Sequence, residues 1–271
     1  MTSMGDLLRL TIDIRLSNAL VKSSLAVSKL SISQFRQRFG DPELVPVSRV
    51  DGGVLPEGTP ANIIVPCHLG RWAKDFTPED ARALVLCDFG EAFRPNQEPR
   101  LGRDCNTPMA NRCPEAVFEP HQRLSYSSDI WSLAIALWDL LGMRVIFSDS
   151  EGPSEIIAEH IDALGMQVFP AKWLDLWNSA RTASSDPLIP RRSKGIRNAW
   201  PPPLEKAFEE FVQAHRKKRP HLGLIGAEEA HVFLDMVRRM LTFDPEERLT
   251  TRQVLETEWM IKWALPELEK K

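Results

Sequence analysis

Apolar positions recur at helical spacing through the second half of this chain. Between residues 128 and 141 they cover nearly every face, which predicts a helix buried within a larger domain. Ser128 is suited to cap this helix at its start, and Gly142 to end it. Apolar residues on one face predict three further helices, at residues 154–164, 204–215 and 227–241.

Two other helix starts are marked by residues with capping preferences. Thr250 and Gln253 have the spacing of a capping box, which predicts a last helix that runs through Trp259. The string Thr77-Pro78-Glu79-Asp80 combines a capping residue, a proline at the first helical position and acids near the positive end of the helix dipole. It therefore predicts a helix start as well.

The first part of the chain predicts extended structure and loops. Alternation of apolar and polar residues at 10–16 favours a helix end that passes into an extended loop. Proline and glycine recur through residues 40–63, as in a long loop with one short strand at 63–65. The apolar run at 84–87 predicts a short buried strand. The predicted fold class is therefore mainly α with short β segments (α+β).

Composition narrows the class of protein. The chain has 271 residues, of which 43% are hydrophobic, and this suits one large packed domain or two small ones. The formal net charge of −3 gives no electrostatic case for direct nucleic-acid binding. No apolar run reaches the roughly 20 residues of a membrane-spanning helix, and no signal peptide is evident.

The cysteines indicate a reducing compartment. Their spacing fits neither a zinc site nor a disulfide framework, so reduced thiols are expected. This favours the cytoplasm or the nucleus. The four residues are Cys67, Cys87, Cys105 and Cys113.

Asp88-Phe89-Gly90 directly follows the last predicted strand. The strand end fixes the direction of Asp88, and Gly90 is expected to adopt a positive φ in the turn. Upstream, Asp13 and Asn18 form a D-x-x-x-x-N pattern. Carboxylate and amide oxygens suit Mg²⁺, so Asp88 and Asn18 are candidate metal ligands, and Asp13 is a candidate general base.

Two further strings follow in order, Cys113-Pro114-Glu115 and Ser128-Asp129-Ile130-Trp131-Ser132-Leu133. Each motif taken alone is compatible with an ordinary turn or helix start. Together, in this order and spacing, the motifs resemble the C-terminal lobe of a protein kinase: a catalytic loop, a magnesium loop, a variant Ala-Pro-Glu motif and the buried helix beneath them. The resemblance covers residues 11–20 and 84–265.

The resemblance implies transfer of a phosphoryl group from ATP, with Mg²⁺, to a Ser or Thr hydroxyl of a protein substrate. Asp13 would take the hydroxyl proton, while Asn18 and the Asp88-Phe89-Gly90 turn would hold the metal and the nucleotide. Arg15 stands where Ser/Thr kinases carry a lysine that contacts the γ-phosphate, although its planar fork differs from an ammonium group. Thr107 stands where a threonine bridges the catalytic aspartate and that basic residue.

Three further residues have structural roles in kinases with this pattern. By resemblance, Glu115 would pair with Arg248. Asp129 would accept backbone N–H bonds from the catalytic loop and so anchor that loop to the buried helix. These roles follow from the resemblance alone.

Within the protein kinases, the chain is most similar to fungal kinases of the SR-protein kinase type, which phosphorylate Ser in Arg/Ser-rich proteins. The strings at 13–18, 88–93 and 125–133 carry this likeness, together with the tail at 258–266 and the loop-rich segment before Asp88. An Arg/Ser-rich protein is the implied substrate, and neither a nucleic acid nor a membrane is an expected partner.

The chain also departs from the kinase pattern. Thr11 and Ile12 stand where a His and an Arg are expected, and no glycine-rich phosphate loop or strand lysine precedes Asp13. These departures predict a partial domain with the C-lobe only, whose uncovered apolar surface favours self-association. Its predicted extent is 1–271, with a catalytic-loop region at 1–20, a loop-rich insert at 21–83, the magnesium loop and activation segment at 84–115, and a helical lobe at 116–271.

Three functions fit these features. The first is a Ser/Thr protein kinase, for which little or no binding of Mg-ATP is expected from a partial domain that contains half of the nucleotide site. The second is a catalytically inactive, kinase-derived binding module, which the departures at Thr11 and Ile12 favour. The third is a small-molecule phosphotransferase of related fold, against which the Cys113-Pro114-Glu115 string and the region of Arg248 argue.

Overall fold

The computed structural model describes residues 14–21, 29–66, 84–142, 144–149, 151–179, 188–190 and 201–269. The chain divides into two compact units. The helical unit contains residues 1–19 and 86–271, and the smaller unit contains residues 20–85. The helix start predicted at 77–80 lies outside the described residues.

Helices dominate the described part of the chain. The strands are β1 (Ala19–Val21), β2 (Leu44–Pro46), β3 (Asn62–Ile64) and β4 (Leu84–Leu86). The helices are α1 (Ile32–Phe39), α2 (Pro114–Phe118), α3 (Tyr126–Leu141), α4 (Pro153–Leu164), α5 (Ala171–Asn178), α6 (Leu204–Phe208), α7 (Ala214–Lys217), α8 (Ala227–Met240), α9 (Thr251–Leu255) and α10 (Leu265–Glu269). None of the helices in these ranges is long and apolar enough to cross a membrane.

The smaller unit contains one capped helix and a two-stranded ribbon. Ser31 and Gln34 form a reciprocal capping box at the start of α1. The strands β2 and β3 pair antiparallel, with Leu44 opposite Ile64 and Pro46 opposite Asn62. The sequence predicted β3 to within one residue but not its partner, because Leu-Val-Pro is too short and too proline-limited to stand out as a strand.

The strand that precedes Asp88 is not buried, and the prediction on this point was wrong. Leu84 and Val85 in β4 are 55% and 56% exposed. The strand pairs with β1 in a sheet of only two strands. Two strands leave their faces uncovered, and so an apolar strand sequence does not by itself ensure burial.

The core of the helical unit is built around α3, as predicted. Trp131, Ala134 and Trp138 on this helix are completely buried. Trp131 packs against Phe147 and Phe243 with ring centroids 6.5 and 6.1 Å apart. Aromatic side chains bury large apolar areas, which makes this helix the main source of packing energy in the unit.

A second aromatic cluster fixes the end of α2. The rings of Phe118 and Trp173 stack with centroids 5.2 Å apart. Trp173 Nε1 also donates to Glu119 Oε1 at 2.9 Å, and Lys172 forms an ion pair with the same carboxylate. The segment that follows Cys113-Pro114-Glu115 is therefore held against α5.

Helix boundaries agree with the predictions at some ends and differ at others. α4 ends at Leu164 before Gly165, and the capping box of Thr250 and Gln253 is present at the start of α9. α3 begins two residues before Ser128, because Ser125 is the extended N-cap residue and its carbonyl accepts the Ser128 N–H. Ser128 therefore lies inside the helix and does not cap it.

Two predicted helices are interrupted. The helix at 204–215 contains a π-helical stretch at Glu209–Gln213 between α6 and α7. The last helix does not run unbroken to Trp259, because α9 ends at Leu255 and the Thr257 hydroxyl bonds to the Val254 carbonyl. A threonine hydroxyl that binds its own backbone competes with the helical hydrogen bond and favours such a break.

Candidate active site

The predicted catalytic loop is described from Ile14 onward. Arg15 is extended, with φ −153° and ψ 158°, and its carbonyl accepts the Asn18 N–H at 3.0 Å across a single 3₁₀ turn. This turn buries Asn18, which is 5% exposed. Asp13, the predicted base, lies outside the described residues, so its role stays a prediction.

The loop that carries Asn18 and the turn that carries Asp88 meet through their backbones. Cys87 N donates to Asn18 O at 2.9 Å. The hydrogen bond fixes the residue directly before Asp88 against the predicted second metal ligand. Two segments far apart in the sequence thus bring an amide oxygen and a carboxylate into the same part of the helical unit.

Asp88 has a left-handed backbone, with φ 63° and ψ 59°. It is the only non-glycine residue with positive φ among the described residues. Gly90 has no positive φ, so the predicted role of this glycine was wrong. The residue that bears the carboxylate carries the unfavourable conformation, which aspartate tolerates better than most residues.

Phe89 lies directly after Asp88 and is 51% exposed. It begins a 3₁₀ turn that ends at Glu91, closed by a hydrogen bond from Ala92 N to Phe89 O at 3.1 Å. This phenylalanine therefore does not anchor the turn in an apolar core, and other contacts must fix the conformation of the turn.

Glu91 provides such contacts. One of its carboxylate oxygens, Oε2, accepts hydrogen bonds from Arg100 Nη1 at 2.6 Å and from Asn106 Nδ2 at 3.0 Å. The Arg100 guanidinium also lies 5.1 Å from the centroid of the Phe93 ring. The sequence did not predict this cluster, since nothing in the spacing of these residues signals that they meet.

The loop around Thr107 is packed into the helical unit. Thr107 is 3% exposed, and its hydroxyl accepts a hydrogen bond from the Cys105 thiol at 3.3 Å. Arg112 Nε donates to the Thr107 carbonyl at 2.9 Å. This burial gives the predicted Thr107 a fixed position, while its part in catalysis stays a prediction.

Cys113 is not a nucleophile in this arrangement. Burial raises the pKa of its thiol well above the usual value, with a further contribution from the neighbouring Glu115. A protonated, enclosed thiol is inert toward substrates.

Glu115 and Arg248 form the ion pair that the resemblance implied. Arg248 Nη1 and Nη2 donate to the two Glu115 carboxylate oxygens at 2.8 and 2.9 Å. Burial opposes the charge on Arg248, but Glu115 outweighs this effect and the pKa of the guanidinium is raised. The same guanidinium donates to the carbonyls of Ser127 and Thr242, at 2.7 and 3.0 Å.

The buried helix α3 contacts the segment of Thr107 through its first turns. Ser132 Oγ donates to the Asn111 carbonyl at 2.9 Å. Asp129 lies half-buried in the first turn of the same helix. Its predicted bonds to the catalytic loop stay a prediction.

The available donors fit a magnesium ion in type. Asn18 offers an amide oxygen and Asp88 an exposed carboxylate, and both are hard ligands that Mg²⁺ accepts while it keeps several waters. Within the described ranges, which exclude Asp13, no cluster of three or more His, Cys, Asp or Glu side chains could hold a metal.

The mainly helical architecture with a few short strands is that of a protein kinase-like fold. The chain belongs to the protein kinase domain family, which matches residues 60–260. Membership in this family suggests a transferase, and the family generally uses ATP and Mg²⁺ to modify proteins.

Two curated proteins from Aspergillus fumigatus are similar to this chain. Each is described as a serine/threonine protein kinase, one from strain CBS 144.89 and one from strain ATCC MYA-4609. Each is 30% identical over 188 residues, which are 65% of this chain and 40% of the relative. The chain thus spans less than half the length of these fungal kinases.

Proposed function

We propose that this chain acts as the C-lobe of a Ser/Thr protein kinase of the SR-protein kinase type. Its reaction would transfer the γ-phosphoryl group of ATP to serine hydroxyls in an Arg/Ser-rich protein. The observation that carries the proposal is the 2.9 Å hydrogen bond from Cys87 N to Asn18 O. It supports the proposal because it ties the two predicted metal-binding segments together.

In this proposal the chain's own residues position and deprotonate the substrate. Asp13 would orient the substrate hydroxyl and accept its proton. Arg15 would contact the phosphoryl group, and Thr107 would bridge Asp13 and Arg15. Asn18 and Asp88 would hold Mg²⁺, which neutralises the charge on the transferring phosphoryl group when it is bound.

The proposed organisation follows the sequence prediction. Residues 1–20 would carry the catalytic loop, 21–83 an insert, 84–115 the magnesium loop and activation segment, and 116–271 the helical lobe. We also propose self-association through apolar side chains such as Leu16 and Phe89, which are 39% and 51% exposed. The compartment would be the cytoplasm or the nucleus, in keeping with the free thiols of the three described cysteines.

The test is a transfer assay with the full chain, labelled ATP, Mg²⁺ and a synthetic peptide of Arg-Ser repeats. The expected result is phosphate on the serines, reduced at least 100-fold in Asp88→Asn, which removes the metal-binding charge but keeps a similar shape. Peptides of Lys-Ser and Arg-Ala repeats serve as controls. Preference for the Arg-Ser peptide over the Lys-Ser peptide would support the SR-type assignment.

The same transfer assay also tests the second candidate function, a catalytically inactive binding module derived from a kinase. If the folded chain and Asp88→Asn give equal, background transfer, the catalytic proposal fails and the kinase-derived binding module is favoured. If the chain phosphorylates serine but treats the Arg-Ser and Lys-Ser peptides alike, the kinase assignment stands and the SR-type assignment fails.

A further inference from the structure

One carboxylate oxygen joins three parts of the segment between Asp88 and Glu115. Glu91 Oε2 accepts hydrogen bonds from Arg100 and Asn106, at 2.6 and 3.0 Å. The side chains of Glu91 and Arg100 are 36% and 31% exposed, so solvent only partly screens the pair.

The Arg100 side of this contact is anchored in the lobe. Phe93, under the Arg100 guanidinium, is 1% exposed. The Arg100 carbonyl accepts Leu124 N, and Gly102 N donates to Gln122 O, both at 2.9 Å. Arg100 thus directly precedes the isolated antiparallel bridge that Leu101 forms with Arg123.

Asn106 connects Glu91 to the loop of Thr107, the predicted catalytic threonine. Asn106 directly precedes Thr107, whose hydroxyl is bound by Cys105. Cys105 N in turn donates to Gly102 O at 3.1 Å. A shift of Asn106 therefore moves the backbone of Thr107.

The backbone of Glu91 belongs to the turn that follows Asp88, the predicted metal ligand. Glu91 ends the single 3₁₀ turn that begins directly after Asp88. Asp88 is left-handed, and such a conformation persists only where surrounding contacts hold it. Phe89 is half exposed and contributes little of this restraint.

We propose that Glu91 is a positioning residue that holds the Asp88 turn in register with the Thr107 loop. Its charge pairs with Arg100 and its second hydrogen bond fixes Asn106, so that metal ligand and threonine keep a constant separation. The inference rests on the proposed function, because Asp88 and Thr107 are the two groups that it aligns. It assigns no contact of Glu91 with substrate.

The first test measures amide hydrogen exchange in the full chain, which needs no catalytic activity. In Glu91→Ala, exchange in the peptides that contain Ala92 and Cys105 should be at least 10-fold faster than in the wild type, while α8 is unchanged. Glu91→Gln should show an intermediate effect, since its amide oxygen still accepts one hydrogen bond. Glu98→Ala is the matched control, because no hydrogen bond of that exposed carboxylate is found within the described residues.

The decisive result is whether the turn after Asp88 and the loop before Thr107 respond together to the loss of Glu91. The inference is supported if Glu91→Ala speeds exchange in both the Ala92 and the Cys105 peptides, and if adding Asn106→Ala to Glu91→Ala causes no further increase. Faster exchange at one end only, or equal effects of Glu91→Ala and Glu98→Ala, overturns it.

The second test is the kinetics of phosphate transfer to the Arg-Ser peptide. Glu91→Ala should lower kcat at least 10-fold and change the KM for peptide less than twofold, with partial recovery in Glu91→Gln. If the wild type is active and Glu91→Ala exchanges faster but keeps the wild-type kcat, the positioning role is overturned. A wild-type chain without transfer would instead refute the proposed function, and the exchange experiment would still decide whether Glu91 joins the two loops.

Discussion

Arg248 and Glu115 are 133 positions apart in sequence and form a bidentate, buried ion pair. The guanidinium side chain is fully buried and the carboxylate is 10% exposed. Arg248 also lies 5.2 Å from the centroid of the Trp131 ring on α3. The pair therefore links α2, the central helix and the loop before α9 at a single point.

Loss of either partner of this pair should be costly. Arg248→Ala leaves Glu115 charged, buried and unpaired, which typically destabilises a protein by about 3–5 kcal/mol. Arg248→Lys should lose most of this stability too, because an ammonium cannot reproduce the planar fork. Urea unfolding of the two variants measures the effect.

The double variant Arg248→Met/Glu115→Met is the control for charge burial. It removes both charges and keeps apolar volume, so it should be more stable than Arg248→Ala. A double variant as unstable as Arg248→Ala would show that the energy comes from the shape of the site and not from the unpaired carboxylate.

His160 should make the protein sensitive to acid. Burial between Trp131 and Phe147 lowers its pKa from 6.5 to about 3. A base with a lowered pKa contributes full stability above pH 6.5, and this contribution falls as the pH drops toward 3. Between pH 7 and pH 5 the loss should be about 2 kcal/mol. Urea midpoints at several pH values measure it.

The matched variant is His160→Phe, which fills a similar apolar space without a titrating group. Its stability should fall less between pH 7 and pH 5 than that of the wild type. Parallel pH profiles for the two proteins would contradict the assignment of the acid sensitivity to His160.

Asp139, unlike His160, should lower the stability of the protein as the pH rises. Burial raises its pKa from 3.8 to about 6, and its Oδ1 has no hydrogen-bond partner among the residues that the structure describes. A carboxyl group with a raised pKa is stabilising at low pH and loses that contribution as the pH rises through 6. Asp139→Asn should therefore stabilise the protein at pH 8 by about 1–2 kcal/mol, after allowance for partial solvation. Equal stabilisation at pH 4 and pH 8, in thermal unfolding, would contradict this cause.

Gly102 should not accept a side chain. A Cβ at this position would lie 2.8 Å from the Ala116 carbonyl oxygen and 3.0 Å from the Glu119 carbonyl oxygen. Both obstacles are backbone atoms and cannot move aside, so Gly102→Ala should cost about 1–3 kcal/mol. Gly226→Ala is the control, since its Cβ would meet no atom within 4 Å and its φ is −63°. Chemical denaturation should separate the two variants.

Sequence periodicity was enough to predict α3, α4 and α8, because burial sets a pattern along each helix, whereas α5 was not predicted. The ends of α4 and the capping box of α9 followed from local residue preferences. The exposed state of β4 could not be predicted, since burial of a strand depends on what covers it. Similarly, the contact of Glu91 with Arg100 and Asn106 depends on the path of the intervening chain and leaves no periodic signal.

The left-handed backbone of Asp88 was also missed, and it supports a final prediction. Glycine adopts φ near 63° without penalty, whereas other residues pay about 1–2 kcal/mol. Asp88→Gly should therefore raise the free energy of unfolding by about 1 kcal/mol after its greater unfolded-state entropy is subtracted. Asp88→Ala should lower it, and Asp88→Asn should leave it near the wild-type value, because Asn shares the tolerance of Asp for this conformation. All three variants should reduce phosphate transfer at least 100-fold, since each removes the carboxylate. An Asp88→Gly protein no more stable than Asp88→Ala would contradict the strained backbone. Transfer close to the wild-type rate in any of the three variants would contradict the metal-binding role of Asp88.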